Sequence, residues 1–179
     1  MPSASEASLV RKLLDALFDG AAYLAALFVL AIFLLMIGAS LGRWLEWRVG
    51  GVNDVVAWFC AAAAFLAMAH AFKNGDFVRV TLLLEKLAPP ARRTLEVVSL
   101  AIAAVADGYL AFWAARFAYE SWEFQDMATG IVALPLWIPQ TSFVIGAVLF
   151  ALAVLDELQL VLRGQTPTYV RRVQERHAQ

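Results

Sequence analysis

The chain has 179 residues, 62% hydrophobic and only 16% charged, with a mean hydropathy of +0.71. Soluble domains are nearer half apolar and a quarter charged, so composition excludes that class and points to an all-α integral membrane protein. Fifteen acidic residues balance fourteen basic ones, which leaves no basic surface for nucleic acid, and the single Cys60 rules out an internal disulfide.

Residues 1–8 are small and polar and read as frayed. Leu9, Val10, Leu13, Leu14, Leu17 and Phe18 then recur at helical spacing, with Arg11, Lys12, Asp15 and Asp19 between them. Residues 1–19 are therefore an amphipathic helix, which either lies on the cytoplasmic surface or simply extends the first span. Residues 20–42 carry no charge and are long enough to cross the hydrocarbon as span 1. The length of this run also argues against a cleaved secretory signal. Arg43, Trp44, Glu46, Trp47 and Arg48 follow as an interfacial anchor. Gly38 and Gly42 form a G-x-x-x-G that either admits a second helix or is a chance spacing.

Span 2 covers residues 52–72, with Asn53 and Asp54 expected to cap it. Ala57, Ala61, Ala64 and Ala71 line one side. Lipid supplies no hydrophobic force between helices, so an alanine face predicts contact with another helix. Cys60 reads as a small buried hydrophobe, and His70 as an interfacial polar residue rather than a ligand. Residues 73–93 form a basic loop holding Lys73, Arg79, Lys86, Arg92 and Arg93. Gly75 marks a turn, 77–88 reads as a short helix in the interface, and Pro89 and Pro90 stop it.

Span 3, residues 94–118, contains Asp107 near its middle and Arg116 near its far end. A carboxylate at that depth is costly and normally faces protein or water. Asp107 is read either as a buried hydrogen-bonding group that fixes packing, or as an ion site or ion-pair partner. Nine positions separate it from Arg116, too far for a same-helix pair. Glu120, Glu123 and Asp126 make the next loop acidic, and Trp122 anchors it. Pro135 and Pro139 either kink a long helix or mark its first turn, where proline is favoured; the second reading gives span 4 as 135–155, ended by Asp156 and Glu157. Residues 156–179 are a basic tail, made irregular by Gly164 and Pro167.

The distribution of Lys and Arg sets the topology. The N-terminal segment, the 73–93 loop and the C-terminal tail hold eleven of the fourteen; the other two loops hold three. Basic loops stay in the cytoplasm, so both termini are expected there. The chemistry of an enzyme is missing. Only His70 and His177 could serve as imidazole ligands, and there is no Cys/His metal spacing, phosphate loop or nucleophile elbow. No catalytic residue, cofactor or metal is expected, and four spans are half of what a complete secondary transporter needs.

Two stretches carry a family resemblance. Residues 68–96 include the phrase G-x-x-V-R-V (Gly75, Val78, Arg79, Val80), and residues 119–152 include L-P-L-W-I-P (Leu134 to Pro139). With four spans at this length, the chain resembles the small membrane subunit, DctQ-like, of tripartite ATP-independent periplasmic (TRAP) transporters. Phe77 stands where a histidine is common, and Val144 where a proline often precedes Ile-Gly. The resemblance implies a bacterial inner-membrane scaffold with no transport chemistry of its own. Its partners would be membrane lipid, a large DctM-like subunit carrying the substrate and sodium sites, and a periplasmic protein delivering an organic acid. Asp107, Arg116, Gly38, Gly42, Ala57, Ala61, Ala64, Arg79, Pro135 and Pro139 are the candidate partner-contact or structural residues. The alternatives are a self-assembling four-span channel with Asp107 lining its pore, or a scaffold of another complex.

Overall fold

A computed structural model describes residues 4–47, 50–76 and 89–177. The short helix expected over 77–88, and Arg79 with it, lie outside the described residues. Five helices follow in order: α1 (Ala4–Trp44), α2 (Val52–Asn74), α3 (Pro89–Glu123), α4 (Trp137–Leu162) and α5 (Thr168–His177). The first four are long and apolar enough to cross a membrane. Among the described residues there is no strand, only an isolated antiparallel bridge between Met127 and Pro135.

The amphipathic start and the first span are one helix. At 41 residues, α1 is roughly 60 Å long, about twice the thickness of the hydrocarbon layer. Gly20 has open space around it and does not interrupt the helix. At the end of α2 the expected turn is present. Gly75 adopts a left-handed conformation, φ 75°, and its N–H and that of Asp76 return to Phe72 and Ala71. The start of α2 differs from expectation. Gly51, φ 82°, holds the cap position without a side-chain bond. Asp54 turns instead to the distant 131–132 backbone, accepting from Ile131 N–H at 2.9 Å and Val132 N–H at 3.4 Å.

The far end of the chain also departs from its sequence reading. Helix α4 runs through Asp156 and Glu157 and stops at Leu162, where Gly164, φ 74°, turns the chain. Residues 163–167 are irregular, as Gly164 and Pro167 predict, but the tail then forms helix α5. Pro139 lies in the first turn of α4, and Pro135 just precedes it.

The spans pack as a row, in the order α1, α2, α4, α3. The α1–α2 seam contains Ala21, Ala25 and Leu66, with Phe28 stacked on Phe59 at 5.0 Å. The α2–α4 seam contains Phe65 against Phe143 at 4.2 Å and Phe72 against Phe150 at 5.6 Å. Leu100 carries α3 into a core shared with Phe18, Ala69, Phe72, Ala153 and Val154. Large apolar side chains stay exposed along the outer helices, including Tyr23, Leu27, Leu30 and Phe33 of α1 and Ile102, Val105, Tyr109 and Phe112 of α3. Such exposure is stable only in lipid or against another protein.

The middle seam is the tightest. A Cβ at Gly146 would lie 2.6 Å from the Phe65 carbonyl oxygen, so the α2 and α4 backbones meet with no room for a methyl group. Gly146→Ala is therefore expected to force the two helices apart and to cost roughly 1–3 kcal/mol, seen as a lower melting temperature in detergent. Gly108→Ala, in open space inside α3, should not lower the melting temperature, since alanine there removes glycine's entropic cost.

Candidate functional site

The end of the bundle that carries both termini is built around Lys73. In the last turn of α2, its ammonium is 2% exposed and donates to Asp156 Oδ2. It also lies 3.3 Å from Glu157 Oε1 and 5.4 Å from the centre of the Phe18 ring of α1. Glu157 is fully buried, and its other oxygen accepts from the Thr168 N–H that opens α5, at 2.8 Å. One cation thus joins α1, α2 and α4, and one of its carboxylates fastens α5. A carboxylate at a helix N-terminus also meets the positive end of that helix dipole.

Further polar contacts surround this junction. Arg172 of α5 donates to Asn74 Oδ1 at 2.6 Å and approaches Asp15 of α1 at 3.9 Å. Tyr169 is buried beside Phe72. His70 Nδ1 lies 3.0 Å from Asp19 Oδ1, and Arg93 of α3 donates to the Leu162 carbonyl at 3.1 Å. His70 and Asp19 are both partly exposed, so that pair is more screened than the Lys73 junction. The buried triad of Lys73, Asp156 and Glu157 is where a lost charge would be felt.

The residues named from the sequence are scattered. Asp107 is half-buried on α3, and its Oδ2 is enclosed without a hydrogen-bond partner among the described residues. Arg116 is paired within its own helix, to Glu120 at 2.8 Å, and lies over the Trp113 ring. Gly38 is exposed with open space around it, while Gly42 is buried. Ala57, Ala61 and Ala64 are exposed, as is Cys60, read from the sequence as buried. The alanines that meet helices of this chain are Ala62, Ala63 and Ala69, one register away. Pro135 bridges to Met127 in the 126–136 loop, and Pro139 offers its carbonyl to Ser142 Oγ at 2.7 Å. Among the described residues, no group of three or more His, Cys, Asp or Glu side chains could hold a metal ion.

Sequence reading missed Lys73, Glu157 and Arg172 as a set. The signal was available: a lysine and two adjacent acids, each at the end of an apolar run, placed at the same depth by the antiparallel course of α2 and α4. Lys73→Met would leave two carboxylates facing each other out of water, and losing one partner of a buried ion pair costs about 3–5 kcal/mol. Thermal unfolding in detergent is expected to show that loss. Adding Glu157→Gln to Lys73→Met should restore part of it, since the repulsion is then removed.

No curated protein matches the chain. The model of one family does, from the middle of α1 to the turn after α4. Residues 32–164 match the DctQ component of tripartite ATP-independent periplasmic transporters, and the chain belongs to that family, as the small membrane component of such a transporter and a multi-pass inner-membrane protein.

Proposed function

We propose that this chain is the stationary scaffold of its transporter, holding a large membrane subunit that performs sodium-coupled uptake of an organic acid. The observation that carries the reading is the row of four spans. Each outer helix has one packed flank and a long apolar face that nothing among the described residues covers. The charged junction at the terminal end makes the row stiff without supplying a route for solute.

The surface for the large subunit includes the exposed small residues Gly38, Ala57, Ala61 and Ala64, where a neighbouring helix can approach closely. Asp107 is a second contact. An enclosed carboxylate oxygen with no donor is costly at that depth, and a donor from the large subunit to this carboxyl group would offset the cost. Both termini lie in the cytoplasm, as eleven of fourteen Lys and Arg residues on that side favour. The opposite end then faces the periplasm, where Glu120, Glu123 and Asp126 offer an acidic surface to the protein that delivers the substrate.

Affinity purification of the tagged chain from its own membranes tests the proposal. The large membrane subunit is expected to co-purify, and the chain alone in liposomes is expected to move neither organic acid nor ions. Asp107→Leu should lower the yield of the complex several-fold while the isolated chain keeps its melting temperature. Asp107→Asn, which retains an acceptor, should lower the yield less. Ion conduction by the purified chain would favour the channel reading instead.

A further inference from the structure

The end of the bundle away from the termini contains a cavity of about 820 Å³ that the scaffold role does not use. Its walls come from the last turns of α1, the connection to α2, the first turn of α2 and the loop before α4. Met36 and Ala39 form an apolar side, Ile131 closes it from the loop, and Arg43, Glu46 and Trp47 form the rim. The shape is built rather than incidental. Glu46 holds a left-handed backbone, φ 60°, which non-glycine residues seldom adopt. Gly51 is also left-handed and touches Val132 so closely that any side chain there would collide with it. Asp54 pins the backbone of Ile131 and Val132, and the loop closes on itself through Ala128 N–H to the Leu134 carbonyl, 2.9 Å, and Leu136 N–H to the Asp126 carbonyl, 2.9 Å.

Three charged side chains line this cavity: Asp54 is engaged by the 131–132 backbone, while Arg43 and Glu46, three positions apart and of opposite sign, do not pair. Neither Arg43 nor Glu46 has a salt bridge or side-chain hydrogen bond among the described residues. Elsewhere at this end the chain does pair such groups, as Arg116 with Glu120 at 2.8 Å. Depth narrows the ligand. The cavity lies where the α1 span ends and the α2 span begins, with Trp47 in its lining; Trp47 and Trp44, at the end of α1, are 71% and 82% exposed. Exposed indoles of this kind sit at the headgroup layer of a bilayer. The molecules that fill that layer carry a phosphodiester, and many carry an amine two carbons away.

From this juxtaposition we infer that the cavity holds one phospholipid whose headgroup has both a phosphodiester and a primary ammonium, as phosphatidylethanolamine does. Arg43 takes the phosphate through its planar fork of N–H donors. Gly51 offers the start of α2 no side-chain cap, and Val52 and Asn53 of that first turn line the cavity, so the positive end of the helix adds to Arg43. Glu46 accepts from the ammonium, and Met36, Ala39 and Ile131 meet the glycerol and the first methylenes. The charges also select. A glycerol headgroup offers Glu46 only neutral hydroxyl donors, and a quaternary choline offers charge but no N–H, so neither matches the charge-assisted bond from an ammonium. The volume is within the ordinary range for a small-molecule site. The inference rests on membrane insertion and on this cavity, and not on how the large subunit is bound.

Native mass spectrometry of the full chain tests it, after exchange into equimolar phosphatidylethanolamine, phosphatidylcholine and phosphatidylglycerol with matched acyl chains. One phosphatidylethanolamine per chain is expected to survive detergent stripping, in clear excess over the other two lipids. Arg43→Gln should reduce retention of all three lipids. Glu46→Gln should remove the preference for the ethanolamine lipid, a change of about tenfold for one lost charge-assisted hydrogen bond, while retention of the choline lipid, which loses only the attraction of its fixed charge, falls less. Arg116→Gln, at the same end but outside the cavity, should change neither. Equal retention of the three lipids by the native chain, or no effect of either cavity variant, would overturn the inference. So would displacement of the lipid by soluble phosphoethanolamine, which would assign the cavity to a free phosphate compound.

Discussion

One ammonium group between two carboxylates holds the terminal end of this molecule together. Lys73 of α2 meets Asp156 and Glu157 of α4 while lying against Phe18 of α1, and Glu157 in turn receives the first amide of α5. The arrangement follows from the solvent. Apolar side chains gain nothing by leaving lipid for each other, so contact between spans must come from close packing and from polar groups satisfied across a seam. Gly146 against Phe65 supplies the first along α2 and α4, and the Lys73 junction supplies the second where those helices leave the membrane.

A strong middle seam with helices added on either side yields a row rather than a closed bundle. α1 joins through Ala21, Ala25 and Phe28, and α3 through Leu100 and the Arg93 bond to Leu162. Four spans in a square would bury a common core along their whole length. In the row, the outer helices keep long apolar faces exposed. For a DctQ component, part of a tripartite assembly, open faces of this kind fit the proposed scaffold role. The cavity between Arg43 and Glu46 adds a place where the surrounding bilayer can be gripped at headgroup depth.

Much of the fold was legible in the sequence because its signals are local or compositional. Uninterrupted apolar runs gave four spans, Gly75 gave a helix stop, and proline at the start of α4 gave its first turn. What escaped depends on pairing across distance. Asp156 and Glu157 read as the end of a helix because charged groups normally seek water. Lys73, 83 residues earlier in the case of Asp156, removes that need and lets the helix continue to Leu162. Asp54 read as a cap for its own helix, but the 131–132 backbone offers it donors from 77 residues away. The alanines of α2 surround the helix so evenly that sequence alone does not say which side meets α4. Ala69 does; Ala62 and Ala63 are also buried within the bundle, whereas Ala57, Ala61 and Ala64 are exposed. The tail helix α5 is short and strongly polar, and much of its hold comes from Glu157, Asn74 and Asp15, residues that no local pattern associates with it.

The order of helices in the row is most directly tested by disulfide cross-linking in native membranes, in a chain carrying Cys60→Ser. Cysteines replacing Phe28 and Phe59, whose rings stack across α1 and α2, should cross-link readily, as should cysteines replacing Phe65 and Phe143 across α2 and α4. Cysteines placed on α1 and α3 at matching depths, such as at Leu30 and Phe112, should not form a bond within one chain. Efficient intrachain cross-linking between α1 and α3 would mean that the spans close into a bundle, and would contradict the open row on which the scaffold reading depends.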